Sequence, residues 1–166
     1  KNIIPFIEKK LFLKVNRKKT EVAHISTVKY LGYSFYRHKG KCRFRVHPKS
    51  VAKMKNRIRE LTDRNKGISN EVREKKYQEY VRGWVEYFRL ADMKKLLQKT
   101  DEWARRRIRA VYWKQWKKIK TKCRMLKALG LEDWKAKELA NSRKGYWRMA
   151  KVLNQIFSNK RSEEHT

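Results

Sequence analysis

A chain of 166 residues with 47 lysines and arginines against 16 aspartates and glutamates has a formal charge of +31, and a compact fold with that imbalance repels itself until a polyanion relieves it. At 40% hydrophobic and 12% aromatic, the chain is too rich in Trp, Tyr and Phe for a disordered basic tail and can bury a modest core. Its two cysteines, Cys42 and Cys123, form no CxxC pair, and no apolar run approaches the ~18 residues of a spanning helix; this excludes a disulfide scaffold and a transmembrane protein and points to the cytoplasm, or to an organelle in a eukaryote.

Nucleic acid is the leading partner. A membrane surface would require a cationic helix with one clean apolar face, whereas here aromatics and cations interleave around several helices, so no membrane partner is expected. The opening residues already read as the inside of a domain, which suggests a piece of a longer protein.

In chain order, residues 4–11 (IPFIEKKL) read as a short helix with Pro5 in its first turn. Residues 12–15 (FLKV) alternate as a strand does. Residues 28–37 and 41–47 are aromatic and β-branched with strand alternation, and His38-Lys39-Gly40 between them reads as a hairpin turn. Phe44 and Val46 share one face of the second strand; Arg43, Arg45 and His47 share the other. After Pro48, Val51, Met54, Ile58 and Leu61 recur at helical spacing, with Gly67 as the expected stop. Ser69 or Asn70 can cap a second helix with the stripe Tyr77, Tyr80, Val81, Trp84, Tyr87, Phe88 and Ala91. Asp92 can cap a third, with Met93, Leu96, Leu97, Thr100, Trp103/Ala104, Ile108, Val111 and Tyr112 inward. Shorter helices are expected near 121–129, ended by Gly130, then 132–142 and 145–158, the last with Tyr146, Met149/Ala150, Leu153, Ile156 and Phe157 at core spacing. The tail 159–166 lacks periodicity and reads as disordered. The fold class is α+β, mainly α: a small hairpin unit over 1–48 and an antiparallel helical bundle over 49–158.

Two blocks of cations stand out. From Arg37 to Lys66 there are twelve Lys/Arg against two acids, and from Asp101 to Arg124 ten against two. The candidate nucleic-acid contacts are Arg37, Lys39, Lys41, Arg43, Arg45, Lys49, Lys53 and Arg57 in the first block. Arg82 lies between the blocks. In the second block they are Arg105, Arg106, Arg107, Arg109, Trp113, Lys114, Trp116, Lys117 and Lys118. Guanidinium groups match phosphates with paired hydrogen bonds, and Trp113 and Trp116 either stack on bases or seal a second interface. Tyr80, Trp84 and Phe88, on the inward stripe, are expected in the core instead.

Catalytic residues are not found. Metal-dependent phosphoryl transfer needs clustered carboxylates, and residues 1–48 contain no Asp and only Glu8 and Glu21. His38, Cys42 and His47 bracket the hairpin but lack a fourth ligand, so no metal site and no cofactor are expected.

These segments resemble the group II intron reverse transcriptase/maturases. Residues 11–21 (LFLKVNRKKTE) look like the motif near the end of the polymerase palm, with Lys19-Thr20 as its Lys-Thr pair. Residues 30–35 (YLGYSF) look like the primer grip that follows. Residues 81–88 (VRGWVEYF) resemble the Arg-Gly-Trp…Tyr-Phe signature of the maturase-specific domain, 103–118 its basic helix, and 124–131 and 142–149 (SRKGYWRM) the segment that closes it. The resemblance implies that Tyr30, Leu31, Gly32 and Tyr33 hold a primer end and that the bundle is the thumb, or domain X. Its implied partners are intron RNA, the template–primer duplex and the remaining fingers and palm. The implied roles are intron splicing and RNA-directed DNA synthesis in a mobile retroelement. The family's Tyr-Ala-Asp-Asp motif is absent here, so this piece alone is not expected to polymerise, and Mg²⁺ is expected only for the full-length polymerase. The alternative is a stand-alone basic RNA-binding accessory protein of a ribonucleoprotein.

Overall fold

The computed structural model describes residues 3–18, 20 and 23–163, with side chains to residue 156 except at 155. Among these residues the chain is mainly helical with a three-stranded antiparallel sheet in the order β1-β2-β3, which is the α+β, mainly α class expected. The elements are α1 (Ile3–Lys10), β1 (Lys29–Tyr30), β2 (Tyr33–His38), β3 (Lys41–Val46), α2 (Pro48–Leu61), α3 (Asn70–Tyr87), α4 (Lys94–Gln115), α5 (Ile119–Ala128), α6 (Asp133–Ala140) and α7 (Tyr146–Glu163).

The helix at the start is where its pattern places it, but the strand expected at 12–15 does not form. Phe12 takes φ +52, and the Leu13 N–H turns back to the Ile7 carbonyl at 3.2 Å. Among the described residues no strand lies beside this segment, and an alternating pattern without a partner gains no ladder bonds. Lys19 and Glu21 of the palm-like motif lie outside the described residues.

The strand expected over 28–37 is broken in two. Leu31 and Gly32 sit at φ +48 and +84 and make a tight turn in which Tyr30 pairs with Tyr33. Positive φ at both turn residues matches the right-handed twist of the flanking strands. Lys39 and Gly40, at φ +49 and +75, repeat the device between β2 and β3, where His38 pairs with Lys41.

Pro48 opens α2 with His47 as its N-cap, whose Nδ1 accepts from the Lys49 N–H at 3.1 Å. The helix buries Met54, Ile58 and Leu61 as its spacing requires, but it ends at Leu61 rather than near Gly67. Arg73 is the reason. Its guanidinium, 2% exposed, donates to the carbonyl oxygens of Leu61 and Asp63 at 2.8 Å and of Lys66 at 3.3 Å. It thereby satisfies backbone acceptors that the helix end leaves open.

Ser69 caps α3 through a bond from the Val72 N–H. Asp92 does not cap α4: the N-cap position is Met93, without a side-chain bond. Asp92 is instead the link between sheet and bundle. Its N–H donates to the Phe44 carbonyl at 2.8 Å, and its carboxylate accepts from Tyr36 at 2.7 Å and Arg43 at 2.8 Å.

Three apolar clusters hold the elements together. Val46, Phe88, Ala91 and Met93 join the sheet to the α3–α4 connection. Met54, Ile58 and Ala104 join α2 to α4, flanked by Tyr77, Tyr80, Trp84 and Trp103. Trp113, Trp116, Leu126, Ala136, Met149 and Leu153 form a further core among α4, α5, α6 and α7. Each of the buried Leu and Met side chains contributes about 1.5–3 kcal/mol relative to exposure. Asn70 meets Gln115 while Trp84 and Val85 pack near Met93 and Leu96, so α3 runs antiparallel to α4. Arg106 reaches Trp147 and Arg109 reaches Ala150, so α7 runs in the same sense as α4. This last helix extends to Glu163, past the point at which a disordered tail is expected. The side chain of Phe157, expected inward, lies outside the described residues.

Candidate nucleic-acid interface

The turn at Leu31-Gly32 is fixed to the bundle by a closed set of bonds. The Gly32 carbonyl accepts from the His47 N–H at 2.9 Å and the Ser50 hydroxyl at 3.1 Å. The Tyr87 hydroxyl donates to the Leu31 carbonyl at 3.1 Å, and the Tyr33 hydroxyl donates to the Tyr87 carbonyl at 2.6 Å. A Cβ at Gly32 would lie 3.0 Å from Ser50 Oγ and 3.1 Å from Phe88 Cζ. Burial is the largest cause that raises the Tyr33 hydroxyl above its ordinary value, so it stays a donor. Tyr30 and Leu31 project from this anchored turn, each 63% exposed. Of the four expected primer-grip residues, two are therefore surface and two, Gly32 and Tyr33, are the support.

Exposed cations occupy both faces of the hairpin, Arg37 on the side of Phe35 and Lys41 and Arg45 on the other, and occur again on α2. Arg37, Lys39, Lys41 and Arg45 are exposed on the β2–β3 hairpin and make no ion pair among the described residues. Lys49 and Lys53 line a shallow groove of about 650 Å³ between α2 and α3, together with Arg57 and Tyr80. The groove continues past Arg57 and Tyr80 to Lys66 and Lys76, through a second hollow of about 560 Å³. Two of the candidate contacts in the first basic block are paired with acids: Arg43 with Asp92, and Arg57 with Glu60 at 2.7 Å. An isolated exposed i,i+3 pair such as Arg57–Glu60 contributes little to stability. Arg82 is exposed on α3.

The second basic block is a different object from the one its sequence suggests. Arg105 pairs with Asp101 at 2.7 Å. Arg106 donates through Nε and Nη2 to the Trp147 carbonyl, at 3.2 and 2.9 Å. Arg107 donates to the Thr62 hydroxyl at 2.7 Å and to the Arg59 carbonyl at 3.3 Å, and it lies over the Trp103 ring. Arg109 donates to the Ala150 carbonyl at 2.8 Å. Burial, the largest cause, pushes the guanidinium groups of Arg107 and Arg109 below the ordinary arginine value, with neighbouring arginines adding to it. Arg107 clamps α4 to the end of α2, and Arg106 and Arg109 clamp it to α7, each through guanidinium donors aimed at oxygen acceptors.

The tryptophans correct the sequence reading in the same direction. Trp113 is 2% and Trp116 7% exposed, in edge contact with each other inside the core of α4, α5, α6 and α7. They are not a free platform for bases. The Trp113 ring is also covered by Lys122, 4.7 Å from its centroid. Lys114 is tied to Asn65, while Lys117 and Lys118 stay exposed just beyond α4. Conversely Tyr146, expected inward, is 43% exposed beside Trp147 at 42%. Helical spacing counts positions from the first turn, where the neighbouring helix has not yet closed over the side chains.

The chain is thus a basic, mainly helical α+β protein with exposed cations on the hairpin and on most helices, some of them lining the α2–α3 groove. Residues 51–130 match the family model of the group II intron maturase-specific domain, a span from α2 to the glycine that ends α5. The match supports a maturase domain over this span and links the chain to group II introns. A comparison with curated proteins found no match. The packing of α7 on α4 extends the helical unit beyond the matched residues. Among the described residues no helix is long and apolar enough to cross a membrane.

Proposed function

We propose that this chain is the primer-gripping end of the palm and the thumb of a group II intron-encoded reverse transcriptase. In this reading it holds intron RNA and the template–primer duplex in support of splicing and RNA-directed DNA synthesis. One observation carries it: the span that matches a maturase domain contains the α2–α3 groove lined by Lys53 and Arg57, with Lys49 at its start. Lysines and arginines neutralise phosphates and release counterions, which supplies affinity without reading bases. A-form helices hide their base edges in a deep groove, so a protein recognises them by backbone and shape. Tyr30 and Leu31, held out on the anchored turn beside the start of α2, would lie against the end of the primer strand.

The polymerase chemistry of such proteins depends on Mg²⁺. Among the described residues no three of His, Cys, Asp and Glu come together to hold a metal ion. The residues present do not fit that ion, and no catalytic step is assigned to them.

The test is binding of a group II intron RNA across a salt series. Affinity should fall steeply with salt, and the triple variant Lys39→Ala, Lys49→Ala, Lys53→Ala should flatten the log–log slope by ~0.7–0.9 per contact removed. A slope equal to that of the unsubstituted chain would overturn the assignment of this face.

A further inference from the structure

A second surface lies at the other end of the bundle, outside the span matched to the maturase domain except for Arg64. A cleft of about 650 Å³ opens between the connection that follows α2 and the start of α7, lined by Arg64, Arg143, Lys144, Tyr146, Trp147 and Arg148. The lining contains four cations, two aromatic rings and no carboxylate. The hollow is shallow and open to solvent. Arg143, Lys144 and Arg148 are exposed and form no ion pair among the described residues.

The two rings contrast with the rest of their helix. Further along α7, Met149, Ala150 and Leu153 are each 0% exposed, whereas Tyr146 and Trp147 keep more than two fifths of their surface in water. Each ring is nevertheless held. The Arg64 guanidinium lies 5.0 Å over Tyr146, and that of Arg106 lies 4.0 Å over Trp147. Arg106 also bonds the Trp147 carbonyl, so ring and backbone are fixed by one side chain. A ring oriented before binding loses little freedom on binding.

We propose that this cleft takes an unpaired RNA nucleotide, its base stacked on the exposed Trp147 ring and its phosphates on Arg143, Lys144 and Arg148. Every base has a π-face, and stacking on a fixed aromatic is how single strands are held without sequence preference. An acidic peptide would use the cations and leave the ring idle. The inference rests on the reading of the chain as an RNA-binding protein and assigns it a second class of contact: unpaired nucleotides here, the helical backbone along α2.

The experiment compares single-stranded and duplex RNA of equal length, titrated into the full chain at several salt concentrations. Trp147→Ala should weaken single-strand binding about 5- to 160-fold with the salt slope unchanged, the loss expected for one stacked base. Trp147→Phe, which keeps a ring on the Arg106 guanidinium, should restore most of it, and neither change should alter duplex affinity. The pair Arg143→Ala, Lys144→Ala should lower the single-strand salt slope. Equal single-strand affinity for Trp147→Ala and the parent chain would overturn the stacking site while leaving RNA binding intact. Loss of single-strand and duplex affinity together in both Trp147 variants would also overturn it, as a packing defect. Competition by polyglutamate as effective as that by the oligonucleotide would reduce the cleft to a charge patch. A parent chain that binds neither RNA would overturn the broader reading and this one with it.

Discussion

Arg73, near the start of α3, donates to the carbonyl oxygen of Leu61, the last residue of α2, at 2.8 Å. The same nitrogen reaches the Asp63 carbonyl at 2.8 Å, and the other terminal nitrogen reaches Lys66 at 3.3 Å. A buried guanidinium of α3 thus satisfies the end of α2 and shapes the connection between the two helices. Replacement by alanine leaves three carbonyls without their donor and should lower stability by about 3 kcal/mol, read as a shift in the denaturant midpoint. Arg73→Lys, which keeps the charge but loses the fork, should recover only part of it. A loss below ~1 kcal/mol for the alanine variant would show that the clamp is not needed.

Gly32 and Gly40 form a matched pair for testing the anchored turn. Both have positive φ, +84 and +75, but a Cβ at Gly40 meets nothing within 4 Å while one at Gly32 crowds Ser50 and Phe88. Gly40→Ala should cost about 1 kcal/mol from backbone strain alone. Gly32→Ala should cost more, by at least ~1 kcal/mol, because the ring of Phe88 belongs to a packed cluster and cannot yield freely. Equal melting temperatures for the two variants would show that the turn is not seated on the bundle.

The arginines of α4 and the lysines of α2 should separate cleanly in mutagenesis. Arg109→Ala removes a bond to the Ala150 carbonyl and should cost about 2 kcal/mol in stability. Lys49→Ala and Lys53→Ala remove no side-chain bond and should leave the melting temperature unchanged while they lower the salt slope of RNA binding. The reverse outcome, with Arg109→Ala stable and defective only in the salt slope, would return α4 to the interface.

His47 makes stability depend on mild acid. Its Nδ1 accepts the Lys49 N–H at the start of α2, which a protonated ring cannot do. Desolvation, then the charges of Lys29, Lys49 and Arg45, hold its pKa below the ordinary histidine value of 6.5. The folded chain therefore binds fewer protons than the unfolded one. The stabilisation is complete above the unfolded pKa and is lost as the pH falls through the folded one. Melting between about pH 7.5 and pH 5, a window that brackets the ordinary histidine range, should show a drop that His47→Asn, which caps without titrating, removes. An equal drop in both would assign it to other groups.

Much of this protein is legible in its residue order. The helix periodicity, Pro48 and Ser69 at helix starts, Gly130 at a helix end and the Lys39-Gly40 turn all depend on neighbours within a few positions, and so does the net charge that asks for a polyanion. These are local effects, and a linear pattern contains them. What the tertiary structure decided is where each cation goes. Arg37 and Arg106 look alike in a basic run, yet one is left to solvent and the other commits its donors to a carbonyl of α7. Asp92 reads as a helix cap and serves as a tether for Tyr36 and Arg43. Trp113 and Trp116 read as a stacking surface or a second interface and lie in the core, while Tyr146 reads as core and lines a cleft. The physical reason is the same in each case. A backbone carbonyl, a carboxylate or an apolar wall brought from far along the chain competes with solvent and with any ligand for the side chain, as the separations of 41 between Arg106 and Trp147 and 56 between Tyr36 and Asp92 show. Only the fold determines which competitor is present.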